Sequence, residues 1–214
     1  MHLRIVHGLR GKGGGFDLAP GAPRIVGRGK DADISLPDGM VSGEHASIEV
    51  DGDGVIVRDL GSANRTFVNA RSVTSVRATT GDLVLVGGTI LRVESDELDA
   101  IADSERGLSD PNAPVVFDLQ EVPLRVVLRF LQTSRKSAEV SIEGPDGRAS
   151  LSYTRGSLVG VHVANLQGKS PRQALELLAA WRGTATLDPP TAGGGTAIAV
   201  ETFLDADQPT GSPR

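Results

Sequence analysis

The chain has 214 residues, enough for one large domain or two small ones, and no cysteine, which excludes disulfides, thiolate zinc sites and cysteine nucleophiles. Its net charge of -5 comes without a basic run, which argues against a nucleic-acid or anionic-membrane surface, and its four histidines are scattered without metal-ligand spacing. Only 3% of residues are aromatic, so the cores must be mostly Val, Leu, Ile and Ala; no segment has signal-peptide or membrane-spanning character, and the expectation is a cytoplasmic protein without cofactor or metal.

Residues 1 to 95 read as short strands and turns. Leu3 to Val6, Phe16 to Leu18 and Arg24 to Val26 are strand-like, separated by a glycine run at 11 to 15 and the Pro20-Gly21 turn. Ala46 to Val50 and Val55 to Arg58 flank Asp51-Gly52-Asp53-Gly54, a hairpin signal, and Phe67-Val68, Leu83 to Val86 and Thr89 to Val93 complete the set. Many short strands with close turns predict a β sandwich or barrel. Residues 96 to 113 break the pattern with an acidic, Ser/Pro-containing stretch, read as a linker.

From 114 to 190 the period changes. Pro123 opens a helix whose apolar positions 124, 127, 128 and 131 form one stripe. Strand-like runs at 138 to 142, 149 to 153 and 158 to 163 follow. A second helix is expected from Pro171 to Trp181, capped by Ser170, and Gly183 leads into a strand at 184 to 187. This is a helix–β-meander–helix unit of α+β class, and residues 191 to 214 form a partly ordered tail.

Three polar islands lie in the predicted loops of the first half: Gly27-Arg28, Ser42-Gly43-Glu44-His45 and Asn64-Arg65-Thr66-Phe67-Val68-Asn69. Arginine offers a planar fork to phosphate oxygens, serine a hydroxyl donor, and asparagine both sides of an amide. Taken singly, Arg28 suits a surface ion pair with Asp31 or Asp33, and the serine and asparagines suit ordinary turn chemistry.

In this order and spacing the islands resemble the forkhead-associated (FHA) domain, a phosphothreonine-peptide reader. The resemblance covers about residues 3 to 95. It implies that Arg28 and Ser42 contact phosphate and that Asn64 holds the ligand backbone. It also implies that His45, Thr66 and Asn69 support the loops together with Gly27. Gly43 and Arg65 complete the expected binding set. Gly43 stands where many members place a polar or basic side chain, Ala63 where Ser or Thr is frequent, and Arg65 where glycine is frequent. Arg65 is therefore expected in a left-handed conformation, or as a replacement for the charge absent at Gly43.

In the second half, Phe117 to Leu124 opening a helix, Gly156-Ser157-Leu158-Val159-Gly160 after a strand, Ala174 to Leu178 and Trp181-Arg182-Gly183 resemble the PATAN-like bacterial signalling domain. That resemblance implies protein contacts and no catalytic residues. Arg125, Arg129, Arg135 and Lys136 read either as a solvated face or as a surface for an acidic protein partner.

The expected function is a non-enzymatic adapter that binds a phosphothreonine-containing partner of a Ser/Thr kinase pathway, with a second protein held by residues 114 to 190. The alternative is a degenerate FHA domain serving as a phosphate-independent scaffold or oligomerisation module. The glycine run at 11 to 15 lacks the ending of a nucleotide loop. Thr202, with acidic and aliphatic neighbours, is a candidate phosphorylation site for self-binding, or an ordinary strand threonine.

Overall fold

The computed structural model describes residues 1–8, 14–95, 115–145, 147–164, 170–190, 198 and 204. The linker expected at 96 to 113, most of the tail and Thr202 lie outside them. Among the described residues eleven strands precede residue 95: β1 (His2–His7), β2 (Gly15–Asp17), β3 (Arg24–Gly27), β4 (Ile34–Ser35), β5 (Ala46–Asp51), β6 (Gly54–Asp59), β7 (Thr66–Val68), β8 (Arg71–Val73), β9 (Ser75–Thr79), β10 (Leu83–Val86) and β11 (Thr89–Glu94). They form two sheets, ordered β2-β1-β11-β10-β7-β8 and β4-β3-β5-β6-β9. All pairings are antiparallel except β3 with β4.

The two sheets face each other as a sandwich. Its core takes Leu3 and Ile5 from β1, Val84 and Val86 from β10 and Leu91 and Val93 from β11, packed against Val26, Ala46, Ile48, Val55, Val57 and Ala78. The expected β-rich first half is thus present. Strands β4, β8 and β9 are additional to the sequence reading, because they are very short or, as in Ser-Val-Arg-Ala-Thr, polar edge strands with little apolar signal.

The later residues give β12 (Val115–Asp118), α1 (Leu124–Thr133), β13 (Ala138–Gly144), β14 (Gly147–Thr154), β15 (Ser157–Val163), α2 (Pro171–Leu178) and β16 (Thr184–Asp188), with a sheet ordered β12-β16-β13-β14-β15. Pro123 is the N-cap of α1 rather than its first helical residue, since its ψ of 144° is extended. The Ser170 hydroxyl and Gln173 cap the start of α2 reciprocally. This helix stops at Leu178, short of the expected Trp181, because Ala180 and Trp181 turn tightly onto the Leu177 and Leu178 carbonyls.

Seven of the ten residues of α1 are buried, including Val126, Arg129 and Phe130. Burial on nearly all sides means that α1 is a central layer and not a surface helix. On one side it meets the outer face of the first sheet through Val6, Phe67, Leu83, Leu85 and Ile90, and on the other it meets Val140, Ile142, Leu151, Tyr153 and Leu158 of the later sheet. Strand β10 is consequently dry on both faces, with alternate residues belonging to the sandwich core and to the α1 layer. Strand alternation places Ile5 in one layer and Val6 in the other, and the β-bulge between Ile5 and His7 brings His7 to the same side as Val6, edge-on to Phe117 and Phe130.

This layering corrects the reading of the basic cluster. Arg129 is 4% exposed, not a solvated or partner-facing residue. Its Nε donates to the Ala70 carbonyl at 3.0 Å, one terminal nitrogen donates to Gln132, and its guanidinium lies 4.7 Å from the centre of the Phe67 ring. Arg135 and Lys136 remain exposed. No helix among the described residues is long and apolar enough to cross a membrane.

Candidate functional site

The loops that follow β3, β4 and β6 carry the three polar islands. Strand β3 ends at Gly27, where an added Cβ would meet the Gly43 carbonyl at 2.0 Å, so only glycine lets the two loops approach this closely. The approach is sealed by the backbone: the Arg28 N–H donates to the Ser42 carbonyl at 2.8 Å and the Gly29 N–H to the Gly43 carbonyl at 2.9 Å.

Two side chains, of Arg28 and Asn64, converge on the backbone of residues 40 and 41, beside Ser42. Arg28 Nε donates to the Val41 carbonyl at 3.2 Å, and its terminal nitrogens make no hydrogen bond among the described residues. The Asp33 carboxylate is occupied by Arg24 and the Ile25 N–H, and no carboxylate pairs with Arg28 among the described residues. The ion pair suggested by sequence is therefore absent from Arg28. Asn64 Nδ2 donates to the Met40 carbonyl at 2.7 Å, leaving its Oδ1 as an acceptor. Ser42 Oγ accepts the Ala63 N–H at 3.2 Å, so the hydroxyl proton stays available to a ligand. Ala63 thus contributes through its backbone where its side chain has nothing to offer.

His45 ties these loops together from beneath, with 0% exposure. Its Nδ1 accepts the Ser42 N–H at 3.0 Å and its Nε2 faces the Arg65 carbonyl at 3.1 Å, which fixes the neutral tautomer with the proton on Nε2. Both ring nitrogens are engaged by backbone groups, so His45 is not a base for the Ser42 hydroxyl. Burial lowers the His45 pKa below its ordinary 6.5, against the raising influence of the Arg65 carbonyl, Asp59 and Asp38. The unfolded chain therefore binds more protons than the folded one just below neutrality. The stability held by neutral His45 is complete above about pH 6.5 and is lost as pH falls through its folded pKa. Urea midpoints measured at successive pH values should decline in that window, and a flat profile there would contradict this role.

Asp59 supports the loop of Asn64 from the other side. Burial would raise its carboxyl, but hydrogen bonds from the Ser62 and Thr66 hydroxyls and the Ser62 N–H hold it below its ordinary value. Thr66 is fully buried in this contact. Arg65 has φ 63°, the left-handed conformation expected from its position, and its side chain is exposed. Gly43 is exposed, and an added Cβ there would meet no atom within 4 Å. Asn69 lies apart from the convergence: with Ala70 it makes the left-handed turn between β7 and β8, and its amide bridges Asp82 and the Leu83 N–H. Sequence reasoning missed Asp38, which is 8% exposed and clasps the turn before Ser42; the Leu36-Pro37-Asp38-Gly39 run was its only signal.

Residues 24–87 match the family model described as the FHA domain. The FHA domain-containing protein FhaA of Mycobacterium tuberculosis is 39% identical over 77 residues, which are 36% of this chain and 14% of that protein. The glycogen accumulation regulator GarA of Mycolicibacterium smegmatis is 43% identical over 62 residues, which are 29% of this chain and 39% of that protein. This chain therefore spans well under half of either curated relative. A solved structure from work on phosphothreonine-dependent FHA domain interactions is 34% identical, with a TM-score of 0.40 over 44% of this chain and 94% of that one.

Proposed function

With an FHA domain at residues 24–87 as the premise, we propose that the chain is a non-enzymatic signalling adapter that binds threonine-phosphorylated partners through Arg28, Ser42 and Asn64. One observation carries the reading. Arg28 and Asn64 from two loops are anchored on the Val41 and Met40 carbonyls, next to Ser42 of a third, and all three keep their ligand-competent atoms uncommitted among the described residues. A guanidinium fork and a hydroxyl proton suit a phosphate dianion, and an amide acceptor suits a peptide N–H. The setting is a bacterial cytoplasmic Ser/Thr kinase pathway. The resemblance of residues 114 to 190 to the PATAN-like domain supports a second protein contact there, with exposed Arg135 and Lys136 available to it.

The test is titration of a degenerate phosphothreonine peptide library, with the same peptides dephosphorylated. Selective binding of the phosphorylated form supports the reading, and equal binding of both forms overturns it.

The open space at Gly43 favours a second reading, a phosphate-independent scaffold, because that position adds no charge. Arg65 separates the two. A left-handed non-glycine residue costs about 1–2 kcal/mol, so Arg65→Gly should raise stability by about 1 kcal/mol in thermal unfolding. If Arg65 supplies charge to a phosphopeptide, affinity should fall severalfold in the same variant; in a scaffold, stability alone changes.

A further inference from the structure

The turn between β10 and β11, Gly87-Gly88, is wedged between the ligand loop and the end of α1. On the loop side, Asp38 Oδ2 accepts the Gly88 N–H at 2.6 Å. Its Oδ1 accepts the Met40 N–H at 2.9 Å, and its carbonyl accepts the Val41 N–H at 3.0 Å. A Cβ on Gly87 would lie 2.7 Å from Val41 Cγ2, and φ +59° at Gly87 is itself a glycine conformation. On the helix side, the Thr133 hydroxyl is 3.2 Å from the Gly87 carbonyl and 2.8 Å from the Arg129 carbonyl of its own helix, so its proton is shared. A Cβ on Gly88 would lie 3.7 Å from Ser134 Cβ, in ordinary contact.

These contacts form one physical line. The last turn of α1 bears on Gly87-Gly88, that turn is held by Asp38, and Asp38 shapes residues 40 to 42. To those residues Arg28 and Asn64 are bonded, and Ser42 is one of them. Two features make the line specific. Gly87 needs glycine, because of its φ and because a side chain would strike Val41, and a Cβ on Gly88 would press on the Asp38 carboxylate at 2.9 Å. The Asp38 carboxylate is nearly buried and uses both oxygens on backbone amides, one on the ligand loop and one on the turn.

We propose that Asp38 is a positioning residue for the phosphopeptide loop, and that it makes the seat of α1 on the Gly87-Gly88 turn part of the site's support, so that ligand binding and the helix end are coupled. The proposal rests on the phosphopeptide reading above. Coupling of this kind is reciprocal: what the helix end does to the loop, an occupied loop does to the helix end.

The experiment uses the full chain and one phosphothreonine peptide selected from the library. Asp38→Asn keeps the size but turns one acceptor oxygen into a donor, which breaks one of the two amide bonds. It should weaken peptide binding by roughly fivefold, the low end of measured site-to-site couplings. Thr133→Val is isosteric and away from the ligand loop; it should weaken binding by about twofold, as for one shared hydrogen bond. Backbone amide spectra supply a readout that a merely structural role would not move. Saturating peptide should shift the Thr133 and Ser134 signals in the wild type, and that response should shrink in Thr133→Val. Should Asp38→Asn fail to fold, Thr133→Val carries the test alone. Binding unchanged in the variants, or Thr133 and Ser134 signals indifferent to peptide, overturns the coupling while leaving phosphopeptide binding intact. If the wild type binds no phosphopeptide at all, the functional reading falls first.

Discussion

Arg28→Ala is expected to weaken phosphothreonine-peptide binding on the order of 100-fold while leaving the thermal midpoint nearly unchanged. The affinity loss follows from the bonding of the side chain. Among the described residues only Nε is used, on the Val41 carbonyl, so the terminal nitrogens are what a phosphate would engage. Each charge-assisted hydrogen bond contributes about 1.5–3 kcal/mol, and a bidentate pair of them corresponds to about two decades of affinity. Stability is spared because the side chain is exposed and the loop remains sealed by the Arg28 and Gly29 backbone amides. Arg28→Lys keeps the charge but loses the fork, and should fall between the two, with about a tenfold loss. Calorimetric titration of phosphorylated and unphosphorylated peptides checks the two affinities, and a thermal melt checks the midpoint. Wild-type affinity in Arg28→Ala would remove the arginine from the site and favour the scaffold reading.

The largest stability effect is expected at Arg129. Arg129→Ala should cost about 3 kcal/mol, because it removes a buried cation from its carbonyl partners and leaves space beside Phe67. For a chain of this length that is a fall of about 6–12 °C in the thermal midpoint. Arg129→Met should cost less, since it refills the space yet still leaves the Ala70 carbonyl without this donor. Differential scanning calorimetry reads both. A loss below about 1 kcal/mol in the alanine variant would mean that the α1 layer does not rest on the sandwich as described.

The candidate-site loops were legible in the sequence because they break a rule. Arg28, Ser42 and Asn64 are polar residues at turns where no core needs them, and His45 three residues after Ser42 fits a buried hydrogen-bonding support. The left-handed backbone at Arg65 was legible for the same local reason, as an arginine where glycine is the easy choice. What could not be read is what the chain does at long range. Asp38 bonds an amide 50 positions away, and nothing in Leu36-Pro37-Asp38-Gly39 announces more than a turn. The fate of α1 was half visible. Leu83-Val84-Leu85-Val86 is an uninterrupted apolar strand, the pattern of a strand covered on both faces, whereas a sandwich strand with one wet face alternates. Counting apolar positions in α1 identified a stripe, but the burial of Arg129 depends on the Ala70 carbonyl, which a left-handed alanine at φ 70° turns toward the helix.

The double coverage of β10 also orders the ways in which the protein can come open. A backbone amide in this strand meets water only after the second sheet lifts from one face or α1 from the other, so it should be among the last to exchange its hydrogen for solvent deuterium. The short edge strands β2 and β8 hold no buried residue and can fray first. The loops that bear Arg28 and Ser42 flank β4, an edge strand of two residues, while their brace through Asp38 runs to the turn that closes the deepest strand. The molecule thus holds the candidate ligand loops at a sheet edge and moors them to the part that opens last.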